Sequence, residues 1–287
     1  MKISEAVQFY LQYKKANAKG NSLKNYRYIL QKFENSFGER EIDTLTTEEI
    51  ISFLTGLTQN NKQNTKRSRY SSLKVFFNFI SYTAQPDLKN PCDSPVTRKL
   101  FYNPKPHQWT VFDKDIIDEA IFRTTNTRNR LMLELMARGG MRISEVLGLQ
   151  PADVENRKLL LRTPKSGREL EFVFIPQKLS TRLSYYIKDK DMKVAQRIFP
   201  LSYSGARKMV VKVGEMVGIK LRPHDLRRHA ATYASRAGTP LEIVSKVILR
   251  HSDLSTTQQY LGKVSDYEAI RWIETGMDEK RGGYSTP

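Results

Sequence analysis

Apolar residues recur at helical spacing in four stretches of the first part of the chain, with polar residues between them. Steps of three and four residues place apolar side chains on one helix face, so each stretch predicts an amphipathic helix. The sets are Val7, Tyr10, Leu11; Leu23, Tyr26, Leu30, Phe33, Phe37; Ile50, Leu54, Leu57; and Leu73, Phe76, Phe77, Ile80. Thr46 and Glu49 have the spacing of a capping box at the third helix. We therefore expect a helical domain over residues 1–85.

The helical periodicity stops between residues 86 and 109, where prolines accumulate. Proline restricts its own backbone and disfavours helix at the residue before it. The prolines are Pro86, Pro91, Pro95, Pro104 and Pro106. This stretch predicts an extended linker between two domains rather than a packed element.

Helical patterns return over residues 110–287, together with two segments of alternating apolar and polar residues. The predicted helices cover 113–124, 127–138, 179–188, 205–217, 225–237, 241–249 and 265–275. The alternating segments at 159–162 and 170–174 predict a small β-hairpin, with Lys165 at the tip of its Pro- and Gly-containing turn. Residues 280–287 are typical of a disordered tail. The predicted fold class is mainly α with a small antiparallel β-sheet, divided into a helical N-terminal domain and a mixed α/β domain.

The chain is strongly basic, with 48 lysine and arginine residues against 30 acidic residues and a formal charge of +18. Such a surface attracts polyanions, and we favour nucleic acid over an anionic membrane as the partner. Basic residues interleaved with aromatics mark the fourth helix: Lys62, Lys66, Arg67, Arg69 and Lys74. A face of this kind can follow a phosphate backbone, although a solvated helix surface gives the same pattern.

Cys92 is the single cysteine of the chain, so no internal disulfide framework or cysteine-cluster metal site is expected. Charges interrupt every apolar stretch of residues 1–15, which predicts neither a signal peptide nor a membrane span. We therefore expect a cytoplasmic, nucleoid-associated protein without a membrane partner.

Two clusters of the second domain combine basic side chains with the start of a helix. Arg142 follows two glycines that permit a tight bend, and Glu145 lies one turn further on, where it can hold the guanidinium. His224 and Arg227 are three residues apart, directly after Pro223. A helix start there offers free amides to a phosphate. Taken singly, the first cluster also fits a surface ion pair and the second a capped helix.

Two further clusters are Lys165 on the hairpin turn and the segment from His251 to Tyr260. A solvated turn lysine and a structural tyrosine are the ordinary alternatives. Zinc is disfavoured because His224 and His229 are five residues apart and no H-E-x-x-H stretch exists. ATP hydrolysis is disfavoured because no G-x-x-x-x-G-K-[ST] stretch exists. We expect no metal and no cofactor.

The remaining polar set suits attack on a phosphodiester without a metal. Its members are Arg142, Lys165, His224, Arg227, His251 and Tyr260. Each arginine can bind charged non-bridging oxygens bidentately, and His251 can add a hydrogen bond. The lysine can protonate the departing 5′ oxygen, and His224 is a candidate base. A tyrosine hydroxyl titrates near pH ~10, so the nucleophile Tyr260 needs this cationic pocket.

The order arginine, hairpin lysine, H-x-x-R, histidine and tyrosine resembles that of the tyrosine recombinase or phage integrase family. The matching segments are GMRISE at 140–145, TPKSG at 163–167, HDLR at 224–227, HSDLSTT at 251–257, and Tyr260. The resemblance covers the catalytic domain from about residue 113 to residue 260. The first domain is similar to the family's helical core-binding (SAM-like) domain, and the two-domain layout is Xer-like.

This resemblance implies an integrase- or resolvase-type site-specific recombinase of prokaryotic or viral origin. It also implies a C-shaped clamp on duplex DNA, a 3′-phosphotyrosyl intermediate at Tyr260, and a homo-tetramer that exchanges strands through a Holliday junction. A monomer in solution is compatible with it. Residues 267–273 fit an amphipathic helix that docks on a neighbouring subunit, as in the family, or on its own chain.

Two positions depart from the family pattern: Arg250 stands where the family usually has glycine, and Arg138 where a smaller residue is common. Two other functions remain open. A type IB topoisomerase shares the chemistry but relaxes supercoils without a specific site. A catalytically silent DNA-binding protein would bind its site without forming a covalent adduct.

Overall fold

The computed structural model describes residues 1–17, 20–102, 110–162, 170–251 and 253–258. The chain divides into two compact units, Met1–His107 and Gln108–Pro287. The described residues are mainly helical and include one three-stranded antiparallel sheet, so the predicted fold class is confirmed. None of the helices in these ranges is long and apolar enough to cross a membrane.

The first unit contains the four amphipathic helices that the apolar spacing predicts. They are α1 (Ile3–Asn17), α2 (Gly20–Phe37), α3 (Thr47–Thr58) and α4 (Gln63–Thr83). Their apolar faces meet in a core of aromatic rings. The ring of Tyr10 lies 5.5 Å from that of Phe76, edge to face, and Phe33 lies 5.8 Å from Phe77. Edge-to-face pairs at this separation add to the stabilisation from burial.

The predicted capping box at the start of α3 is confirmed. The backbone N–H of Glu49 donates to Thr46 Oγ1 over 3.3 Å, and the backbone N–H of Thr46 donates to Glu49 Oε2 over 3.0 Å. Two amides that no helical carbonyl can reach are thereby satisfied. The sequence therefore fixes the first residue of this helix locally.

Residues 86–102 are part of the first unit and pack on its helices, so the prediction of an extended linker is wrong for this part of 86–109. A short helix, α5 (Pro95–Phe101), forms here. The ring of Phe101 stacks on Tyr70 with centroids 5.9 Å apart, and the Tyr70 hydroxyl donates to the carbonyl of Cys92 over 3.0 Å. Pro95 starts the helix instead of breaking it, because the first helical position needs no N–H. Residues 103–109 lie outside the described ranges.

The second unit is built around α7, which is buried at every position from Leu131 to Ala137. Its helices are α6 (Lys114–Arg123), α7 (Thr127–Ala137), α8 (Ile143–Gly148), α9 (Gln177–Asp189), α10 (Tyr203–Glu215), α11 (Pro223–Arg236), α12 (Leu241–Ile243) and α13 (Leu254–Gln258). The helix predicted at 241–249 starts as α12 and continues as a π-helix over Val244–Leu249. The helix predicted at 265–275 lies outside the described residues.

The predicted hairpin is confirmed as β2 (Lys158–Leu161) paired antiparallel with β3 (Glu171–Phe174). A third strand, β1 (Val154–Glu155), extends the sheet and was not predicted, because two residues are too few for a periodic signal. On β3, Glu171 and Val173 point inward, whereas the two phenylalanines are exposed. The hairpin tip at 163–169, with Lys165, lies outside the described residues.

Candidate active site

Gly140 forms the bend between α7 and α8, with a φ of +61°. A Cβ at this position would lie 2.8 Å from Ile248 Cγ2 and 2.9 Å from the Ile248 carbonyl oxygen. Both the left-handed backbone and this close approach require glycine. The bend brings the end of α7 against the π-helical turn, and it leaves the carbonyl of Gly140 facing arginine side chains from elsewhere in the chain.

Arg142 follows this bend and immediately precedes α8. Its Nη1 donates to Glu145 Oε1 over 2.6 Å, and its backbone N–H donates to Glu145 Oε2 over 2.8 Å. The predicted pairing of Arg142 with Glu145 is thus confirmed. Burial alone would raise the pKa of Glu145, but the charges of Arg250 and Arg142 outweigh it and hold that pKa below its usual value. Glu145 is therefore an anion that fixes Arg142, whose side chain is 17% exposed.

Arg227 and His224 both lie in the first turns of α11, as predicted, but in different environments. Arg227 is 1% exposed, and its two terminal nitrogens donate to the backbone carbonyls of Gly140 and Leu249. A buried guanidinium requires such partners. His224 is exposed and lines a cleft with Arg207 and Arg222. The structure therefore places the arginine inside the unit and the histidine at its surface.

His251 comes directly after Arg250, which caps the π-helical turn that ends at Leu249. Its Nδ1 lies 2.9 Å from the Thr257 hydroxyl, which in turn bonds the Ser245 hydroxyl over 2.8 Å. Burial, followed by the positive charges of Arg227, Arg142 and Arg250, lowers the pKa of His251 to about 4. The imidazole is therefore neutral at pH 7 and lies within electrostatic range of both predicted catalytic arginines.

Two of the predicted catalytic residues, Lys165 and Tyr260, lie outside the described residues. Of the predicted residues that are described, the structure brings together Arg142, Arg227 and His251. The Gly140 bend and the π-helical turn connect these three residues.

The basic residues predicted along α4 differ in their contacts. The guanidinium of Arg67 lies 4.2 Å from the centre of the Tyr102 ring, and that of Arg69 lies 4.4 Å from the Tyr28 ring. Lys74 Nζ pairs with Asp93 Oδ1 at 2.6 Å. These three cations are engaged within the first unit and point towards different neighbours. Lys62 is exposed and Lys66 is half-buried.

Two residues outside the predicted catalytic set belong to the same cluster of contacts, Arg250 and Glu171. Arg250 Nη2 donates to Glu145 Oε2 over 2.7 Å, and Arg250 Nε lies 3.8 Å from Glu171 Oε2. The alternation of inward and outward side chains along the strand indicated a buried Glu171, because an inward Val173 places residue 171 on the same inner face. No local pattern indicated that Arg250 would reach it.

A buried Arg227 and a half-buried Arg142 beside a neutral histidine can bind a phosphate and stabilise charge that develops on it. A model described as the phage integrase family matches residues 114–265, and one described as phage integrase, N-terminal SAM-like domain, matches residues 5–87. A tyrosine recombinase of Pseudothermotoga lettingae is 29% identical over 256 residues, covering 86% of this chain and 86% of that one.

Two solved structures share the fold. The Tn1549 transposon integrase in complex with transposon right end DNA has a TM-score of 0.75 at 16% identity, covering 96% of this chain and 99% of that one. A lambda integrase dimer bound to a COC′ core site has a TM-score of 0.72 at 16% identity, covering 91% and 95%. The chain belongs to the phage integrase family and is a tyrosine-type site-specific recombinase that cleaves and rejoins DNA.

Proposed function

We propose that the enzyme cuts each DNA strand by attack of the Tyr260 hydroxyl on a phosphodiester, forming a 3′-phosphotyrosyl intermediate and releasing a 5′ hydroxyl. The observation that carries this proposal is the convergence of Arg142, Arg227 and His251 around the Gly140 bend. A phosphodiester linkage to tyrosine keeps the energy of the broken bond, so the reverse attack by a 5′ hydroxyl rejoins the strand without a nucleotide cofactor.

The two arginines bind the non-bridging oxygens, where negative charge develops in the transition state. His251 adds a hydrogen bond to the same phosphate, with its ring oriented by the contact of Nδ1 with the Thr257 hydroxyl. Lys165 protonates the departing 5′ oxygen, and His224 is the candidate base for Tyr260. The guanidinium groups supply the charge that a metal provides in other phosphoryl-transfer sites.

The partner in this proposal is double-stranded DNA that carries a specific recombination site, bound by a homo-tetramer in the cytoplasm. The lambda integrase structure is of a dimer on its core site, which supports assembly on DNA in pairs. Two such pairs bring two sites together for strand exchange. The basic residues of α4, with Lys62 and Lys66 foremost, are candidate contacts to the DNA backbone.

The test is trapping of the covalent adduct. Duplexes that bind the protein are first selected from a randomised pool, and a set of nicks is then tiled across the selected site so that cleavage releases a short strand and cannot be reversed. Denaturing gels separate protein-linked DNA in the presence of EDTA. Tyr260→Phe is compared with Tyr185→Phe, a matched loss of one hydroxyl at a tyrosine that is 71% exposed on α9.

We expect an adduct with the wild type and Tyr185→Phe, and none with Tyr260→Phe at unchanged DNA affinity. Tight binding by the wild type without any adduct would refute the catalytic assignment and favour a silent DNA-binding protein. Relaxation of supercoiled plasmid that lacks the selected site would favour a type IB topoisomerase over a recombinase.

A further inference from the structure

Arg250 has a backbone conformation that few L-residues adopt, with φ 51° and ψ 49°. The other non-glycine residues with positive φ in the described ranges are Asn156 and Asp191. Asparagine and aspartate tolerate this left-handed region, whereas arginine has no local feature that favours it. A strained conformation of this kind persists where surrounding contacts hold it in place.

The side chain of Arg250 supplies such contacts, since it is 3% exposed and reaches three segments of the second unit. Its Nη2 donates to Glu145 Oε2 on α8 over 2.7 Å, and its Nη1 donates to the Ile248 carbonyl in the π-helical turn over 2.8 Å. Its Nε lies 3.8 Å from the buried carboxylate of Glu171 on β3. The guanidinium therefore ties α8, the turn before His251 and the hairpin strand to one another.

Two of the groups that Arg250 contacts also hold the arginines of the candidate active site. Glu145 binds Arg250 through Oε2 and the guanidinium of Arg142 through Oε1. The carbonyl of Gly140 accepts from Arg227 and lies 3.4 Å from Arg250 Nη2. Because a single carboxylate joins two guanidinium groups, its orientation depends on both of them.

We propose that Arg250 is a positioning residue that orients the Arg142 guanidinium towards the scissile phosphate through the shared carboxylate of Glu145. This inference rests on the proposed function of Arg142. Without Arg250, Oε2 is held, among the described residues, only by the Arg142 backbone N–H, so the carboxylate can tilt and bind the Arg142 guanidinium through both oxygens, which draws the guanidinium away from the phosphate. A displacement of this kind lowers transition-state stabilisation more than ground-state binding, so cleavage slows while DNA affinity is kept.

The test uses the full chain and two substitutions at this position. Arg250→Gly removes the side chain and suits the left-handed backbone, and Arg250→Lys keeps the charge but cannot bridge several acceptors. The matched control is Arg182→Lys, because Arg182 pairs with Glu134 at 2.8 Å elsewhere in the same unit. Adduct formation is timed in a single turnover at saturating DNA, and the DNA Kd is measured separately, all well below the melting temperature of each variant.

We expect Arg250→Gly to cleave about 10- to 100-fold more slowly than the wild type with a Kd within about twofold, as for a displaced catalytic group. The cleavage rate of Arg250→Lys falls between those of Arg250→Gly and the wild type, and Arg182→Lys cleaves at the wild-type rate. A cleavage rate for Arg250→Gly within about twofold of the wild type would overturn the inference. A defect confined to Kd would overturn it as well.

A purely structural role, neutralisation of the Glu171 carboxylate, is separated by the double variant Arg250→Gly with Glu171→Gln. If neutralisation is all that Arg250 does, the double variant recovers the wild-type rate. If Arg250 orients Arg142, the double variant stays as slow as Arg250→Gly. Because the wild type runs on the same gels, its failure to form an adduct would refute the proposed function itself, and the inference would fall with it.

Discussion

Substitution of Gly140 by alanine tests whether the bend between α7 and α8 holds the candidate active site together. An L-residue with positive φ costs about 1–2 kcal/mol. The added methyl group would lie 2.8 Å from Ile248 Cγ2 and 2.9 Å from its carbonyl oxygen, so the backbone has to shift. Overpacking of this kind costs about 1–3 kcal/mol. The two terms together predict that the free energy of unfolding of the second unit falls by about 2–5 kcal/mol.

A loss of this size lowers the melting temperature by roughly 4–20 °C in a domain of this length. Calorimetry resolves the transition of the second unit, and Gly148→Ala is the control, because a Cβ on that glycine meets nothing within 4 Å and its φ is not positive. Gly140→Ala also moves the carbonyl that accepts from Arg227, so cleavage should fall at temperatures where the variant is folded. Melting temperatures for the two variants within about 2 °C of each other would refute this reasoning.

Two further predictions concern the histidines. Burial lowers the pKa of His229 to about 4, so the unfolded chain binds this proton more readily than the folded one. The neutral His229 contributes at most about 3 kcal/mol to the free energy of unfolding, fully above about pH 6.5, and this contribution is lost as the pH falls towards 4. His229→Gln should therefore flatten the dependence of urea-measured stability on pH between pH 7.5 and 5. An unchanged dependence would contradict this. Thr257→Val removes the hydroxyl at His251 Nδ1 and should slow cleavage roughly 10-fold at constant Kd, whereas Thr257→Ser should not. Equal rates for the two Thr257 variants would show that this hydrogen bond does not orient the imidazole.

The helices of the first unit were predictable because each buries one face, and that burial leaves a spacing of three and four residues in the sequence. The stretch from 86 to 102 was not predictable by the same argument. Its prolines suggested an extended chain, yet Pro95 occupies the one helical position where proline is favourable. What packs this segment is contact of Cys92 and Phe101 with Tyr70, which a local pattern does not encode.

The motif residues of the candidate site were found from sequence because each follows a local signal, such as a glycine bend before Arg142 or a proline before His224. Their environments were not. Arg227 reaches Gly140 across 87 positions, and Arg250 reaches Glu145 across 105. The packing of the π-helical turn against α7 and α8 decides which arginine is buried. It also decides which backbone carbonyl accepts a hydrogen bond from that arginine. That packing is a property of the folded unit.

Two opposing free-energy terms act at Arg250, one from its backbone and one from its side chain. The left-handed backbone costs about 1–2 kcal/mol with any side chain, and glycine would remove that cost. Glu171 is buried beside it, however, and a buried carboxylate left without its cation costs about 3–5 kcal/mol. The second term is the larger, so the arginine is the more stable choice as long as the Glu171 carboxylate remains. The strained backbone of Arg250 and the inward carboxylate of Glu171 are therefore linked features of this chain. Neither is explained by its own strand or turn alone.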